Sequence, residues 1–150
     1  MVMLVRKNLA SLSIRTAPAR RHDNDSAAKE ALMKYMLLIY SDPSAGPAQG
    51  TPEAEAEFGA WMTVSAEMAQ SGAMQAGAPL QGVETASTVR VRDGKRVVTD
   101  GPFAETKEVL GGYYLVDVPS LDEALDWAAR LPNVGYGSIE VRPVFEIPGM

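Results

Sequence analysis

Asp100, Glu105, Lys107 and Glu108 fall within one short segment, DGPFAETKE at Asp100–Glu108, and they are the first residues whose types and spacing could do chemistry. A carboxylate where a strand runs into a turn can lose solvent and have its pKa raised, which suits Asp100 to general acid–base work. The same carboxylate can instead accept backbone N–H groups of Gly101 and Phe103 in an Asx-type turn. Glu105, Lys107 and Glu108 could position a polar ligand through charged hydrogen bonds. As a structural set, Lys107 pairs with Glu105 or Glu108, and an exposed pair of that kind contributes about 0–1 kcal/mol. Further along, Glu140 and Arg142 alternate with Ile139 and Val141, so both polar side chains leave one face of a strand. With Tyr113 or Tyr114 on a neighbouring strand they could line a polar cleft, where Arg142 suits a carboxylate or phenolate. The alternative is an ion pair across strands or between two subunits. Tyr40 and Asp42 stand where a first strand enters its loop, a frequent rim position for a ligand site. Trp61 and Trp127 read as core residues, and Met62 and Met68 as packing. Gly111-Gly112 precedes a strand and lacks the glycine spacing of a phosphate loop.

Several other chemistries are closed by composition. The chain of 150 residues contains no cysteine, which excludes disulfides and thiolate metal sites within it. Its one histidine, His22, lies in the polar run RRHDND and reads as solvated. A His-based zinc site or a Ser-His-Asp triad would need another chain's residues. No cofactor is expected. No apolar run approaches the roughly 20 residues of a spanning helix, so neither a membrane partner nor a membrane location is expected, and a cytoplasmic one is. Residues 1–32 carry six Lys/Arg and three Asp/Glu, whereas residues 33–150 carry eight and sixteen. An acidic body argues against direct nucleic-acid binding, which depends on neutralising phosphates. The first 32 residues loosely resemble a transit peptide, but they read better as a loose extension ahead of a true start at Met33.

The elements that must position these groups follow from periodicity. Tyr35–Tyr40 is a continuous apolar run of strand length, and Ser41–Gly50 is a loop rich in Ser, Pro, Ala and Gly. Thr51 caps a helix with Pro52 in its first turn and acids at Glu53, Glu55 and Glu57. Phe58, Trp61, Met62, Ser65, Met68 and Ala69 recur at helical spacing, and Ser71-Gly72 ends the run. Met74–Leu80 is a short strand. Ala86–Arg92 and Lys95–Thr99 form a hairpin about Asp93-Gly94, and Phe103 is expected to pin the following turn to the core. Gly111–Val118 is a strand. Ser120 and Glu123 make a capping box for a second helix whose buried stripe is Leu121, Ala124, Leu125 and Ala128. Leu131-Pro132 ends that helix, and Ser138–Glu146 is the last strand. This order predicts an α+β, ferredoxin-like domain over residues 33–150. It has an antiparallel sheet, two helices on one face and an enlarged central hairpin. Covering the other sheet face predicts a homodimer.

The segment Thr99–Val118, TDGPFAETKEVLGGYYLVDV, resembles the signature of the DGPF branch of the YCII-related family. The opening KYMLLIY, the helix LDEALDWAARLP and the ending IEVRPV are similar to that branch too. The resemblance covers essentially all of 33–150. It implies a dimeric α/β barrel of ferredoxin-like subunits with a cleft between sheet and helices. Some members are enzymes, including a dehydrochlorinase of chlorinated aromatic breakdown, and use a His–Asp dyad with the histidine on the first helix. Here that helix offers Phe58, Trp61 and Met62, and no histidine follows His22. Genes of the branch often lie beside those of sigma-70-type transcription factors.

Three readings follow. One is a small-molecule-binding or accessory protein acting as a homodimer. The second is a cofactor-free lyase or isomerase with Asp100 as acid/base and Arg142 holding an anion. A third is an interaction partner of a sigma-type factor. Tyr40, Asp42, Glu105, Lys107, Tyr113 and Arg142 are the candidate ligand-binding residues.

Overall fold

The computed structural model describes residues 32–147. Expectations for His22 and the segment before Leu32 lie outside the described residues. Nine residues of extended chain open the fold as β1, Met33–Ser41. Its apolar run is buried on alternate sides: Tyr35, Leu37 and Ile39 are buried, and Lys34, Met36, Leu38 and Tyr40 are half-buried. The loop that follows leads to α1, Pro52–Gln70, where the backbone N–H of Ala54 donates to Thr51 Oγ1 at 3.3 Å. Ser71 caps the other end and Gly72 turns the chain at φ +80°. β2 (Met74–Pro79) follows, then β3 (Ser87–Arg92) and β4 (Lys95–Asp100). Asp93 and Gly94 both have positive φ, +51° and +72°, which is the turn that joins twisted strands in register. β5 (Val109–Val118), α2 (Leu121–Ala129), a 3₁₀ turn at Pro132–Gly135 and β6 (Gly137–Pro143) complete the chain.

The four-stranded sheet has the order β2-β5-β1-β6, with every neighbouring pair antiparallel. That is the ferredoxin-like arrangement predicted from element order, with the β3–β4 hairpin inserted between β2 and β5. The hairpin forms a two-stranded sheet of its own. One chain makes an open sheet, not a closed barrel. Both helices lie against the face carrying Tyr35, Leu37, Val116 and Val118, where Val64, Met68, Ala124, Trp127 and Leu131 meet them. Each fully buried aliphatic side chain in this layer stabilises the fold by about 1.5–3 kcal/mol.

Four expectations are corrected. α1 buries Val64 and Met68 with Trp61 beside them, whereas Phe58 and Met62 are exposed. Its sequence is rich in Ala and Met, which gives little contrast between faces. α2 buries Ala124, Trp127 and Ala128, and leaves Leu121 and Leu125 exposed, because Trp127 fixes the phase. Ser120 Oγ accepts the Glu123 N–H at 3.2 Å, but among the described residues Glu123 makes no return bond. β6 stops at Pro143, which has no N–H to donate. Beyond it the chain stays attached through Val144 N–H to Lys34 O at 2.8 Å and through the Lys34–Glu146 ion pair at 2.7 Å.

Candidate functional site

Two adjoining depressions open where the end of β1, the start of α1, the loop before β5 and the turn into β6 converge. The larger, of about 560 Å³, is lined by Asp42, Ala45, Thr106, Lys107, Glu108 and Tyr136. The smaller, of about 320 Å³, includes Asp42, Pro43, Glu57, Phe58, Trp61 and Tyr136 in its wall. Asp42 and Tyr136 belong to both, so the two form one cleft with a shared partition.

Local structure holds each wall. Asp42 Oδ1 accepts the Ser44 N–H at 2.9 Å and the Ser44 hydroxyl at 2.7 Å. These bonds, the side-chain one foremost, hold its pKa below the ordinary carboxylate value, and Lys107 adds in the same direction. On α1, Glu57 precedes Trp61 by one turn. Glu57 Oε1 accepts the Tyr136 hydroxyl at 2.5 Å and the Trp61 indole N–H at 3.3 Å. Burial, with the Glu57 carboxylate beside it, pushes Tyr136 from 10.0 up to about 12. Tyr136 is therefore a neutral donor at neutral pH, not a base. Asp42 and Glu57 each engage one oxygen. Among the described residues, Asp42 Oδ2 and Glu57 Oε2 accept no hydrogen bond.

The 3₁₀ turn delivers Tyr136 to this place. Buried Asn133 donates through Nδ2 to Tyr40 O at 3.3 Å, while its own backbone oxygen accepts the Tyr136 N–H at 3.1 Å. Gly137 runs so close to β1 that a Cβ there would meet Tyr40 O at 2.4 Å. On the opposite wall Thr106 donates to Glu108 O at 2.6 Å, and Ser138 donates to Glu108 Oε2 at 3.2 Å. The loop is thus tied to β6.

Of the residues singled out from sequence, Asp42 and Lys107 come together in the cleft. Tyr40 lies just before it on β1 and lends its backbone oxygen to Asn133. Asp100 ends β4, exposed, opposite Ser87. The turn beside it is held by backbone, with Gly101 N–H on Ala86 O at 2.7 Å and Thr88 Oγ1 on Gly101 O at 2.8 Å. Among the described residues the Asp100 carboxylate takes no hydrogen bond from Gly101 or Phe103. Phe103 does not pin this turn to the core: it is 79% exposed, and its carbonyl accepts from Arg90 Nη2 at 3.1 Å. Glu105 is exposed outside the cleft lining. Lys107 forms no ion pair among the described residues, and Glu108 turns to Ser138 instead.

Tyr113 and Arg142 lie elsewhere, on the helix-free face of the sheet. Tyr113 is opposite Leu38, which is opposite Glu140 on its other side. Arg142 Nε donates to Glu140 Oε1 at 2.8 Å, an ion pair within β6 rather than the expected one across strands or between subunits. Tyr114 faces the helices, within 2.6 Å of the Ser65 hydroxyl. Sequence reading missed Glu57, Phe58 and Tyr136 as a site. The available signal was a charged residue one helical turn before Trp61 on the side that α1 buries. Among the described residues no group of three His, Cys, Asp or Glu side chains has the placement of a metal site.

Fold and cleft together define a ferredoxin-like α+β protein with an open polar–aromatic cleft at one end of its sheet. The chain matches the YCII-related domain over residues 33–148. It is also 42% identical over 114 residues to an uncharacterized protein of Rhizobium meliloti (strain 1021), covering 75% of this chain and 92% of that one. The chain belongs to the YCII-related family.

Proposed function

We propose that this protein binds a small organic molecule in the Asp42–Glu57–Tyr136 cleft, and that the ligand presents a protonated amine on an apolar body. One observation carries the reading: among the described residues, two carboxylates with a free oxygen each stand beside Trp61 and Phe58 in one depression that no cation lines. An ammonium group there gains charge-assisted hydrogen bonds and can lie against an aromatic face, an attraction of about 0.5–2 kcal/mol. Lys107 lies beyond the partition, accompanied by Asp42 and Glu108, so the cleft as a whole keeps an excess of negative charge. Raised above its ordinary pKa, Tyr136 serves as a donor that orients Glu57.

The binding form is a homodimer in this proposal. Support comes from the helix-free sheet face, where Met36, Leu38, Tyr113 and Leu115 form an apolar patch bordered by Glu140 and Arg142. A sheet with one face on the core and one apolar face open is the kind that a second copy covers.

A thermal-shift screen with size-matched amines and carboxylates tests the ligand reading. Stabilisation by amines is expected, since a ligand that binds only the folded state raises the melting temperature. Stabilisation by neither class counts against binding in this cleft. A response to carboxylates alone counts against the charge assignment.

A further inference from the structure

The β3–β4 hairpin is the part of the fold that its own domain leaves bare. Val89, Val91 and Val98 are 59%, 62% and 51% exposed. By register Val89 stands opposite Val98, and Val91 opposite Arg96, so the three valines share one face. On the other face Arg90 stands opposite Val97, and Arg92 opposite Lys95. The two strands pack chiefly on each other. Arg90 and Thr88 tether the base of the arm to Phe103 O and Gly101 O. A lone two-stranded ribbon with an apolar face is marginal in water, and an apolar patch held out to solvent marks a contact surface.

Charge indicates the partner. Residues 33–150 hold eight Lys/Arg, and four of them, Arg90, Arg92, Lys95 and Arg96, are on this arm beside two acids. Outside the arm those residues hold four cations and fourteen acids. A cationic arm on a strongly acidic body is complementary to the body of another copy. We propose that the valine face of the β3–β4 arm packs on a second copy of this chain, with Arg96, which shares that face, meeting that copy's carboxylates. This rests on the dimer reading above but assigns part of the contact to the arm, not to the sheet face alone.

Sedimentation equilibrium on the full chain separates the two claims. Two variants are compared with the parent, Val89→Ser with Val91→Ser, and Arg96→Glu. Far-ultraviolet melting confirms that each is folded. Both are expected to weaken dimerisation at least tenfold, and added salt should weaken the parent's association too. A monomeric parent overturns both the arm and the dimer readings. Unchanged dimerisation in both folded variants overturns the arm contact alone. The chain has no cysteine, so Val91→Cys carrying a benzophenone photocrosslinker reports what the arm touches. A covalent species of two chains is expected, and crosslinks confined to one chain overturn the proposal. Arm-dependent retention of a monomeric chain on immobilised nucleic acid would overturn it in favour of a phosphate-bearing partner.

Discussion

Tyr136 is the residue on which the cleft turns. Its hydroxyl donates to Glu57, which also holds Trp61, so one carboxylate orders two aromatic rings. Its pKa is raised from 10.0 to about 12, which means the folded state holds the proton more tightly than the unfolded chain. That contribution is complete below pH 10 and is lost as pH rises towards 12. In an absorbance titration of the five tyrosines, one is expected to ionise later than an ordinary tyrosine, and Tyr136→Phe should remove that late step. Asp42 has the opposite sign. Its lowered pKa gives a contribution present above the ordinary carboxylate value and lost as pH falls through the folded value. Gly137→Ala should destabilise by about 1–3 kcal/mol, measured by urea unfolding, because the new methyl meets the backbone oxygen of Tyr40. Part of this site was legible in the sequence: Asp42 at a strand end and Lys107 in the charged loop both reach the cleft. Glu57 was not, because among Glu53, Glu55 and Glu57 it is accounted for by the helix dipole. Its partner Tyr136 is 79 positions away, and only the fold brings the two together.

At the scale of elements, strand and turn chemistry predicted most of the architecture, and helix phase was where it failed. Thr51 and Ser120 cap their helices, Gly72 ends the first, and Asp93-Gly94 turns the hairpin, each by local hydrogen bonding or positive φ that its residue type favours. Which face of α1 is buried depends on a partner that local sequence does not contain. Met68→Ala is therefore expected to cost about 2–5 kcal/mol, whereas Met62→Ala, on the exposed side, should stay within about 0.5 kcal/mol by chemical denaturation. The β3–β4 arm has little packing of its own, so in the free monomer its amides should exchange with deuterium well before those of β1 and β5. Comparable protection in all of these strands would contradict the description of the arm as bare. The DGPF segment is a turn at the foot of this arm. That segment therefore marks where the arm rejoins the sheet, while Asp100 stays in solvent.

For the molecule as a whole, an acidic body, an open apolar sheet face and a cationic arm are the features on which the proposed self-association rests, and the proposed ligand takes the cleft at one end of the sheet. Sequence composition gave the charge asymmetry directly. The cleft needed three dimensions, because its walls come from residues 42–61, 106–108 and 136. The central claim is that this cleft selects a cation by Asp42 and Glu57. Its most direct test is amide and indole N–H shift mapping by NMR with phenethylammonium and 3-phenylpropionate, two probes of similar shape and opposite charge. Phenethylammonium is expected to shift Asp42, Glu57, Phe58, Tyr136 and the Trp61 indole N–H, and Glu57→Gln should weaken that binding about tenfold, the loss of one charge-assisted hydrogen bond. Shifts scattered over the surface, or an equal response of the same residues to 3-phenylpropionate, would contradict the account.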